Sequence, residues 1–424
     1  MGIKYIKGVK NMKILIIGSG GREHAIAWKI GKNPLVEKIF CAPGNGCTAL
    51  EHKCENINIS SDEELLEFAL KNNVDLTIVG PEVPLMDGIV DLFKDKGLNI
   101  FGPDKKAALL EGSKAFAKDF MKKYNIKTAA YEVFEEEGKA LEYLKNSEHP
   151  VVIKADGLAA GKGVVISNSF EESKNTLEEF MTKDKFNGAG KRVVIEEFLE
   201  GPEASILSIT DGETIIPFIS SKDHKQIYDG GLGSNTGGMG VISPNPYCTE
   251  EVLKDFDKNI LKPTLKGLQE ENLKFSGIIF FGIMITKKGP YLLEYNLRMG
   301  DPETEAVLPL MESDLLDLIL ISINKELKNA NIKWKKAYST CVIAASKGYP
   351  GNYEKGFSIN GIEGIEGIFG AGVKLENNKL LTNGGRVLCT QALGETLEES
   401  IKKAYDKMKR IDFEGIYYRK DIGK

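Results

Sequence analysis

The stretch "VVIKADGLAAGKGVVI", residues 151 to 166, decides how this chain is read. An apolar strand carries Lys154, enters a glycine-rich turn and leaves as a second apolar strand. A Walker A loop needs four residues between its first glycine and Gly-Lys-Ser/Thr, with a helix behind it. Here Gly157 and Gly161 enclose three residues, Gly163 follows Lys162 where a hydroxyl should stand, and no helix pattern follows. The segment is not a P-loop. It predicts a β-hairpin whose tip, Ala160, Gly161, Lys162 and Gly163, closes over a polyphosphate as a lid. Lys154, on the strand, is better fixed than Lys162.

Downstream, "RVVIEEFLEGPEAS" (192–205) ends an apolar strand in Glu196, Glu197, Phe198 and Leu199, with Glu203 close behind. Backbone groups at a strand end can pair with an adenine edge, and a nearby carboxylate can accept both ribose hydroxyls. In "LLEYNLRMGDPETEA" (292–306), Glu294, Asn296 and Arg298 alternate, so a strand would point all three to one face. Glu294 and Asn296 are hard oxygen donors suited to Mg²⁺ on phosphates. Arg298 adds a fork for a carboxylate or phosphate. Asp301, Glu303 and Glu305 follow at once.

Upstream, "ILIIGSGGREHA" (14–25) opens a strand–turn–helix unit. It departs from a dinucleotide fingerprint: Glu23 stands where a small residue is needed, and Pro43 and Gly44 where the ribose-binding acid should be. Backbone N–H groups at the helix start still suit a phosphate. Residues 13 to about 103 alternate strand and helix patterns, which predicts a doubly wound parallel sheet. Ligands in such sheets sit at the carboxyl ends of the strands. Three loops there are expected to converge on one cleft: Gly18, Gly20, Gly21 and Arg22; Pro43, Gly44 and Asn45; and Gly80, Pro81 and Glu82. Residues 104–128 read as helical, and short β-rich runs dominate 150–220. "SKDHKQIYDGGLGSNTGGMGVISP" (221–244) has too many glycines for regular structure and reads as a long functional loop. Two adjacent strands follow, turned at Lys287 to Pro290, and a last αβ segment begins near 330.

The 424 residues carry a net charge of −5, so no electrostatic argument favours nucleic acid. No apolar run is long enough to span a bilayer. The basic start, "MGIKYIKGVKNM", lacks the apolar core of a signal peptide. The six cysteines form no C-x-x-C and read as reduced thiols of a cytoplasmic enzyme. No Ser-His-Asp or Cys-His constellation is evident.

Together, "GSKAFAKDF", "VVIKADGLAAGKGVVI", "IEEFLEGPEAS", "DHKQIYDGGLGSNTGGMG" and "LLEYNLRMGDPETE" resemble the ATP-grasp superfamily. "SNTGGMG" and "NLRMGDPETE", in that order, and "GSGGREHA" narrow the resemblance to the phosphoribosylamine–glycine ligase family, from about Met12 to near the C-terminus. The resemblance implies ATP-dependent ligation of glycine to 5-phosphoribosylamine through a glycyl phosphate, in purine synthesis. It implies that Lys114 and Lys154 contact ATP phosphates under the lid tip, and that Glu196, Glu197, Phe198 and Leu199 form the adenine hinge. Glu203 would hold the ribose, and Glu294 and Asn296 would ligate Mg²⁺ or Mn²⁺. Arg298 would grip the acyl phosphate or a substrate carboxylate. Asp223, His224 and Lys225, with Ser234, Thr236, Gly237 and Gly238, would form the glycine and transfer site, and the N-terminal loops would hold the phosphoribose. Arg298, Lys154 and Asp223 are the expected catalytic groups. The expected layout is a leader (1–11), an N-terminal αβ domain (12–112), an ATP-grasp domain (113–328, lid about 128–200) and a small αβ domain (329–424). A single-function monomer or weak homodimer acting on small molecules, with neither nucleic acid nor membrane as partner, is expected.

Overall fold

The computed structural model describes residues 11–157, 163–186 and 188–424. Its first sheet is wholly parallel, with β1 (Met12–Gly18) at the centre of the order β3-β2-β1-β4-β5. The flanking strands are β2 (Val36–Pro43), β3 (Cys54–Asn56), β4 (Leu76–Val79) and β5 (Ile100–Phe101). Both faces of β1 are buried, as a central parallel strand requires, which is why "ILII" shows no alternation. Helix α1 (Gly21–Ile30) covers one face. Helices α2 (Asp62–Asn72), α3 (Glu82–Asp87) and α4 (Ile89–Asp95) cover the other. Gly88, at φ 102°, separates α3 from α4.

The helical stretch expected over 104–128 is likewise two helices, α5 (Lys105–Gly112) and α6 (Lys114–Lys123), and ends before 128. Ser113 is extended between them, and its hydroxyl accepts from Phe116 N, so it breaks one helix and caps the next. A four-stranded antiparallel sheet follows, in the order β6-β9-β7-β8, from β6 (Tyr131–Phe134), β7 (Val151–Ala155), β8 (Val164–Ser167) and β9 (Val193–Glu197). Helices α7 (Glu137–Lys145) and α8 (Phe170–Leu177) pack on it and give it a core of its own, centred on Leu144, Ile153, Phe180 and Ile195. The predicted hairpin is β7–β8, and next to its tip Ala155 N donates to Gly163 O at 2.8 Å. Ala160, Gly161 and Lys162 of the tip lie outside the described residues.

A second antiparallel sheet, β11-β10-β16-β17, joins β10 (Glu203–Thr210) and β11 (Ile215–Pro217) to the two strands foreseen, β16 (Gly277–Thr286) and β17 (Gly289–Asn296). The register shifts beside Gly282, so Leu293 is an extra residue in β17. The expectation of an irregular 221–244 is overturned. That segment forms β12 (Lys222–Asp223), the hairpin β13 (Gln226–Tyr228) with β14 (Leu232–Asn235), and β15 (Gly240–Ser243). Gly230, Gly231, Gly233 and Gly238 all have positive φ, and the first two make the turn between β13 and β14. β12 and β15 extend the C-terminal sheet built on β18 (Tyr338–Ser346), β19 (Ile368–Gly370) and β20 (Arg386–Gly394). A helix, Leu397–Met408, packs on that sheet. One continuous core joins Ile14 and Ile16 of the first sheet to Leu207 and Ile209 of the second and Cys341 and Phe369 of the third.

Candidate active site

The three N-terminal loops meet at the carboxyl ends of adjacent strands, as foreseen. Gly44 N donates to Gly18 O at 3.1 Å, and Gly80 N to Ile17 O at 3.0 Å. The filling of the turn was not foreseen. Gly18 is left-handed at φ 125°, and a Cβ there would lie 2.6 Å from Glu23 Cδ; a Cβ on Gly80 would meet the same carboxylate. Glu23 accepts from Gly20 N at 2.5 Å and pairs with Arg22, whose Nη1 donates to Met299 O at 3.1 Å. The expectation of free N–H groups is corrected: the chain's own Glu23 and, at 3.4 Å from Arg22 N, Asp301 already face the start of α1. Glu305 faces Gly21 in the same way. Asn45 is buried, and its amide bridges Ser19 O (2.9 Å) and Gly370 O (2.7 Å), so it ties the N-terminal sheet to the C-terminal one. Pro43 ends β2. Pro81 precedes α3 and delivers Glu82 to Arg298.

Lys114 opens α6. Its backbone N–H donates to Asp156 O at 3.1 Å, which ties the helix to the end of β7. Asp156 also accepts from Ser113 Oγ (3.0 Å), Ala115 N (2.6 Å) and Arg192 Nε (2.6 Å). Burial lowers the proton affinity of the Lys114 ammonium, and Glu294 is the foremost charge opposing that. Lys154 Nζ lies 2.7 Å from Glu196 Oε1 and 3.3 Å from Leu293 O. Glu196 is 3% exposed, and its other oxygen meets Lys118 Nζ at 3.0 Å. Sequence reading placed Glu196 at the adenine hinge and passed over Lys118. The structure commits the Glu196 carboxylate to the two lysines. Burial pushes Lys118 down to about 8, with Glu196 working against it. Glu197 Oε1 accepts from Ala130 N at 2.9 Å, while Phe198 and Leu199 run past the end of β9.

Glu294 is the focus of the site. Burial disfavours its charge, yet Lys225, Lys154, Lys114 and Arg298 outweigh this and hold its carboxyl below the usual range. Asn296 Oδ1 accepts from Arg298 Nη2 at 3.3 Å. Glu294 and Asn296 thus offer hard oxygens among cations. Among the described residues no three His, Cys, Asp or Glu side chains cluster as a metal cage. That donor set fits a divalent ion shared with phosphates rather than one enclosed by protein. Arg298 stands just beyond β17, 3.1 Å from Glu111 and 3.3 Å from Glu82. Glu111, missed in the sequence, is raised by burial and accepts from Leu297 N at 2.6 Å.

Lys225 pairs with Glu203 at 2.5 Å, so the residues assigned to substrate and to ribose hold one another. Asp223 Oδ1 is buried without a hydrogen-bond partner, and burial, then the Glu303 carboxylate, raise its carboxyl well above the usual range. A Cβ on Gly238, at φ 111°, would stand 2.6 Å from that oxygen, so the bare backbone shapes this corner. Thr236 Oγ1 donates to Lys225 O at 2.7 Å. Gly237 O accepts from Arg386 Nη1 at 2.6 Å, and Arg386 Nη2 lies 2.8 Å from Asp301 Oδ1. Arg386, on β20, was invisible to the sequence reading. Ser234 stands on the exposed β13–β14 hairpin. The His224 ring faces Gly240 O (3.1 Å) and Gly423 N (3.2 Å), and burial pushes it down to about 4. It is a neutral histidine held by backbone, with both ring nitrogens engaged.

The sequence matches phosphoribosylglycinamide synthetase models in three successive blocks: the N domain over 12–111, the ATP-grasp (A) domain over 112–304 and the C domain over 339–424. The chain belongs to the phosphoribosylglycinamide synthetase family. It is 66% identical over 414 residues to phosphoribosylamine–glycine ligase of Clostridium acetobutylicum, covering 97% of this chain and 100% of that protein. Over 418 residues it is 57% identical to the Fusobacterium nucleatum ligase, covering 97% and 98%. The crystal structure of phosphoribosylamine–glycine ligase from Thermotoga maritima aligns with a TM-score of 0.85 at 36% identity, covering 97% of this chain and 100% of that one. The biotin carboxylase domain of the Hydrogenobacter thermophilus 2-oxoglutarate carboxylase aligns at 0.74 with 16% identity, over 96% and 91%, which shows a shared fold. The N-terminal αβ, ATP-grasp and C-terminal parts foreseen from sequence are thus borne out. Among the described residues no helix is long and apolar enough to cross a membrane.

Proposed function

We infer that this chain is an ATP-dependent ligase that joins glycine to 5-phosphoribosylamine, giving glycinamide ribonucleotide, ADP and phosphate. The observation that carries the reading is the polar face around Glu294, ringed by Lys114, Lys154, Lys225 and Arg298, in a chain matched by this family over nearly its whole length. Phosphoryl transfer needs positioning and charge neutralisation, not a nucleophilic side chain. Lys114 and Lys154 bind the polyphosphate, and Phe198 and Leu199 offer backbone groups to adenine. Glu294 and Asn296 would hold Mg²⁺ or Mn²⁺, which supplies neutralisation of phosphate charge. Arg298 orients the glycine carboxylate, one oxygen of which attacks the γ-phosphorus as the bond to ADP breaks. The amine of phosphoribosylamine then attacks the carbonyl carbon of glycyl phosphate and expels phosphate. Asp223, which has an unpartnered buried oxygen, takes the proton that this amine gives up.

The β6–β9 sheet, with its own core, is the lid that excludes water from the acyl phosphate. The three turns around Gly18, Gly44 and Gly80 face the phosphoribose. Its phosphate must then be met by N–H groups that Glu23 leaves free, or displace Glu23. The test is substrate dependence of ADP release from ATP. Release that requires glycine and freshly made phosphoribosylamine together supports the reading. Release supported by bicarbonate in place of glycine would keep the fold and overturn the substrate.

A further inference from the structure

Lys118 has no part in the mechanism above, yet it is 2% exposed and ends in a charge. Its ammonium donates to Thr128 Oγ1 at 2.7 Å, and that hydroxyl donates to Leu292 O at 2.6 Å. It meets Glu196 Oε2 at 3.0 Å while Lys154 meets Oε1 at 2.7 Å. Lys154 and Glu196 lie on neighbouring strands of the lid sheet, and Lys118 lies on α6, one turn beyond Lys114. Two buried cations therefore share one buried anion at the junction of the lid sheet, α6 and β17. Burying an unbalanced charge costs several kcal/mol, so such a triad needs an anion to complete it. With Glu196 and Lys154 alone, the pair would be neutral. Lys118 offsets Glu196 and leaves a net positive charge at Lys154.

We propose that Lys118 is a positioning residue for the nucleotide: by sharing Glu196 with Lys154, it keeps the Lys154 ammonium uncompensated and fixed for a polyphosphate. The proposal rests on Lys154 as a phosphate ligand, which belongs to the reading above. It concerns affinity that grows with phosphate charge. A role confined to folding would weaken adenosine and ADP alike.

The experiment is calorimetric binding of ADP and of adenosine to the full chain and to its variants, with folding checked by circular dichroism. Lys118→Met removes the balancing charge. ADP affinity is expected to fall on the order of tenfold at an effective dielectric near 20, with adenosine nearly unchanged. Lys118→Gln, which keeps an amide donor for Thr128 and Glu196, should lose ADP in the same way and serves if the methionine variant does not fold. The double variant Lys118→Met with Glu196→Gln restores the net charge, and ADP affinity should recover. Equal losses for adenosine and ADP, or a double variant that binds ADP no better than Lys118→Met, would overturn the proposal. Because binding is read without turnover, a wild-type protein that binds ADP but forms no product would sink the ligase reading and leave this one standing.

Discussion

Arg298 and Glu111 lie 3.1 Å apart, Nη2 to Oε1, with the carboxylate 6% exposed and the guanidinium 17% exposed. The contact joins the end of β17 to α5, and Glu111 also takes the Leu297 amide 186 residues away. Glu111 therefore holds both the Arg298 guanidinium and the backbone beside it. Glu111→Gln keeps the shape and an acceptor for Leu297 but removes the charge. The expected result is a fall in kcat of about tenfold with little change in KM for ATP, and a stability loss of about 2 kcal/mol from weakening a buried pair. Steady-state kinetics beside urea denaturation checks both. A variant that loses stability but keeps full kcat would show Arg298 to be held by other means.

Glu294 sits among four cationic groups and has its carboxyl held below the usual range. Glu294→Gln leaves a neutral oxygen where an anion is needed, so turnover should fall about a hundredfold or more, in line with loss of a group that organises transition-state charge. The change in unfolding free energy should stay within roughly 1–2 kcal/mol, because the residue faces the site rather than the apolar core. An unchanged rate would remove Glu294 from the metal and phosphate site.

Arg386 reaches from the C-terminal sheet to Gly237 O at 2.6 Å and Asp301 O at 2.9 Å, besides its ion pair with the Asp301 side chain. It fastens the loop carrying Gly237 and Gly238 against the turn after β17. Arg386→Met removes the ion-pair partner of the half-buried Asp301 carboxylate and leaves it the Arg22 N–H at 3.4 Å, at a cost of up to about 3 kcal/mol. The same variant should raise KM for the amine substrate more than KM for ATP, since the loosened loop borders Asp223. Equal effects on the two constants would place this link outside the transfer site.

These long-range pairs mark where the sequence stops being legible. The parallel sheet was readable because β1, β2 and β4 are apolar runs separated by helical periods and ended by glycine, all local signals. Glu294 and Asn296 were readable because strand alternation places polar groups at spacing two. Lys118, Glu111 and Arg386 sit in ordinary helix and strand patterns, and their partners lie tens to hundreds of residues away. No local period encodes such a pairing. Glu23 shows a subtler limit. As a departure from a dinucleotide fingerprint it was informative, but its carboxylate's place inside its own turn follows only from the bare backbone of Gly18 and Gly80. The segment 221–244 was misread because glycine density was taken as loss of structure, whereas several of those glycines supply the left-handed turns that let four short strands form.

His224 gives a pH dependence with a definite sign. Burial pushes its folded-state value down to about 4, below the ordinary 6.5. Between those values the unfolded chain binds a proton that the folded chain refuses, so stability falls as pH drops from about 6.5 to about 4. The full shift corresponds to roughly 3 kcal/mol. In His224→Asn, urea denaturation from pH 4 to 7 should show an acid slope shallower than that of the unaltered chain by this amount, with the carboxylates' share common to both. Identical slopes would mean that the ring is protonated in the folded protein.

The most direct test of the account follows the oxygen of glycine. With both glycine carboxylate oxygens labelled as ¹⁸O, the enzyme is supplied with ATP, Mg²⁺ and freshly made phosphoribosylamine, and the released phosphate is analysed by mass spectrometry. If the carboxylate attacks the γ-phosphorus and the amine then expels phosphate, each phosphate carries one glycine oxygen, and glycinamide ribonucleotide retains the other. Unlabelled phosphate formed alongside the amide would contradict a glycyl phosphate, and with it the roles given to Arg298 and Glu294.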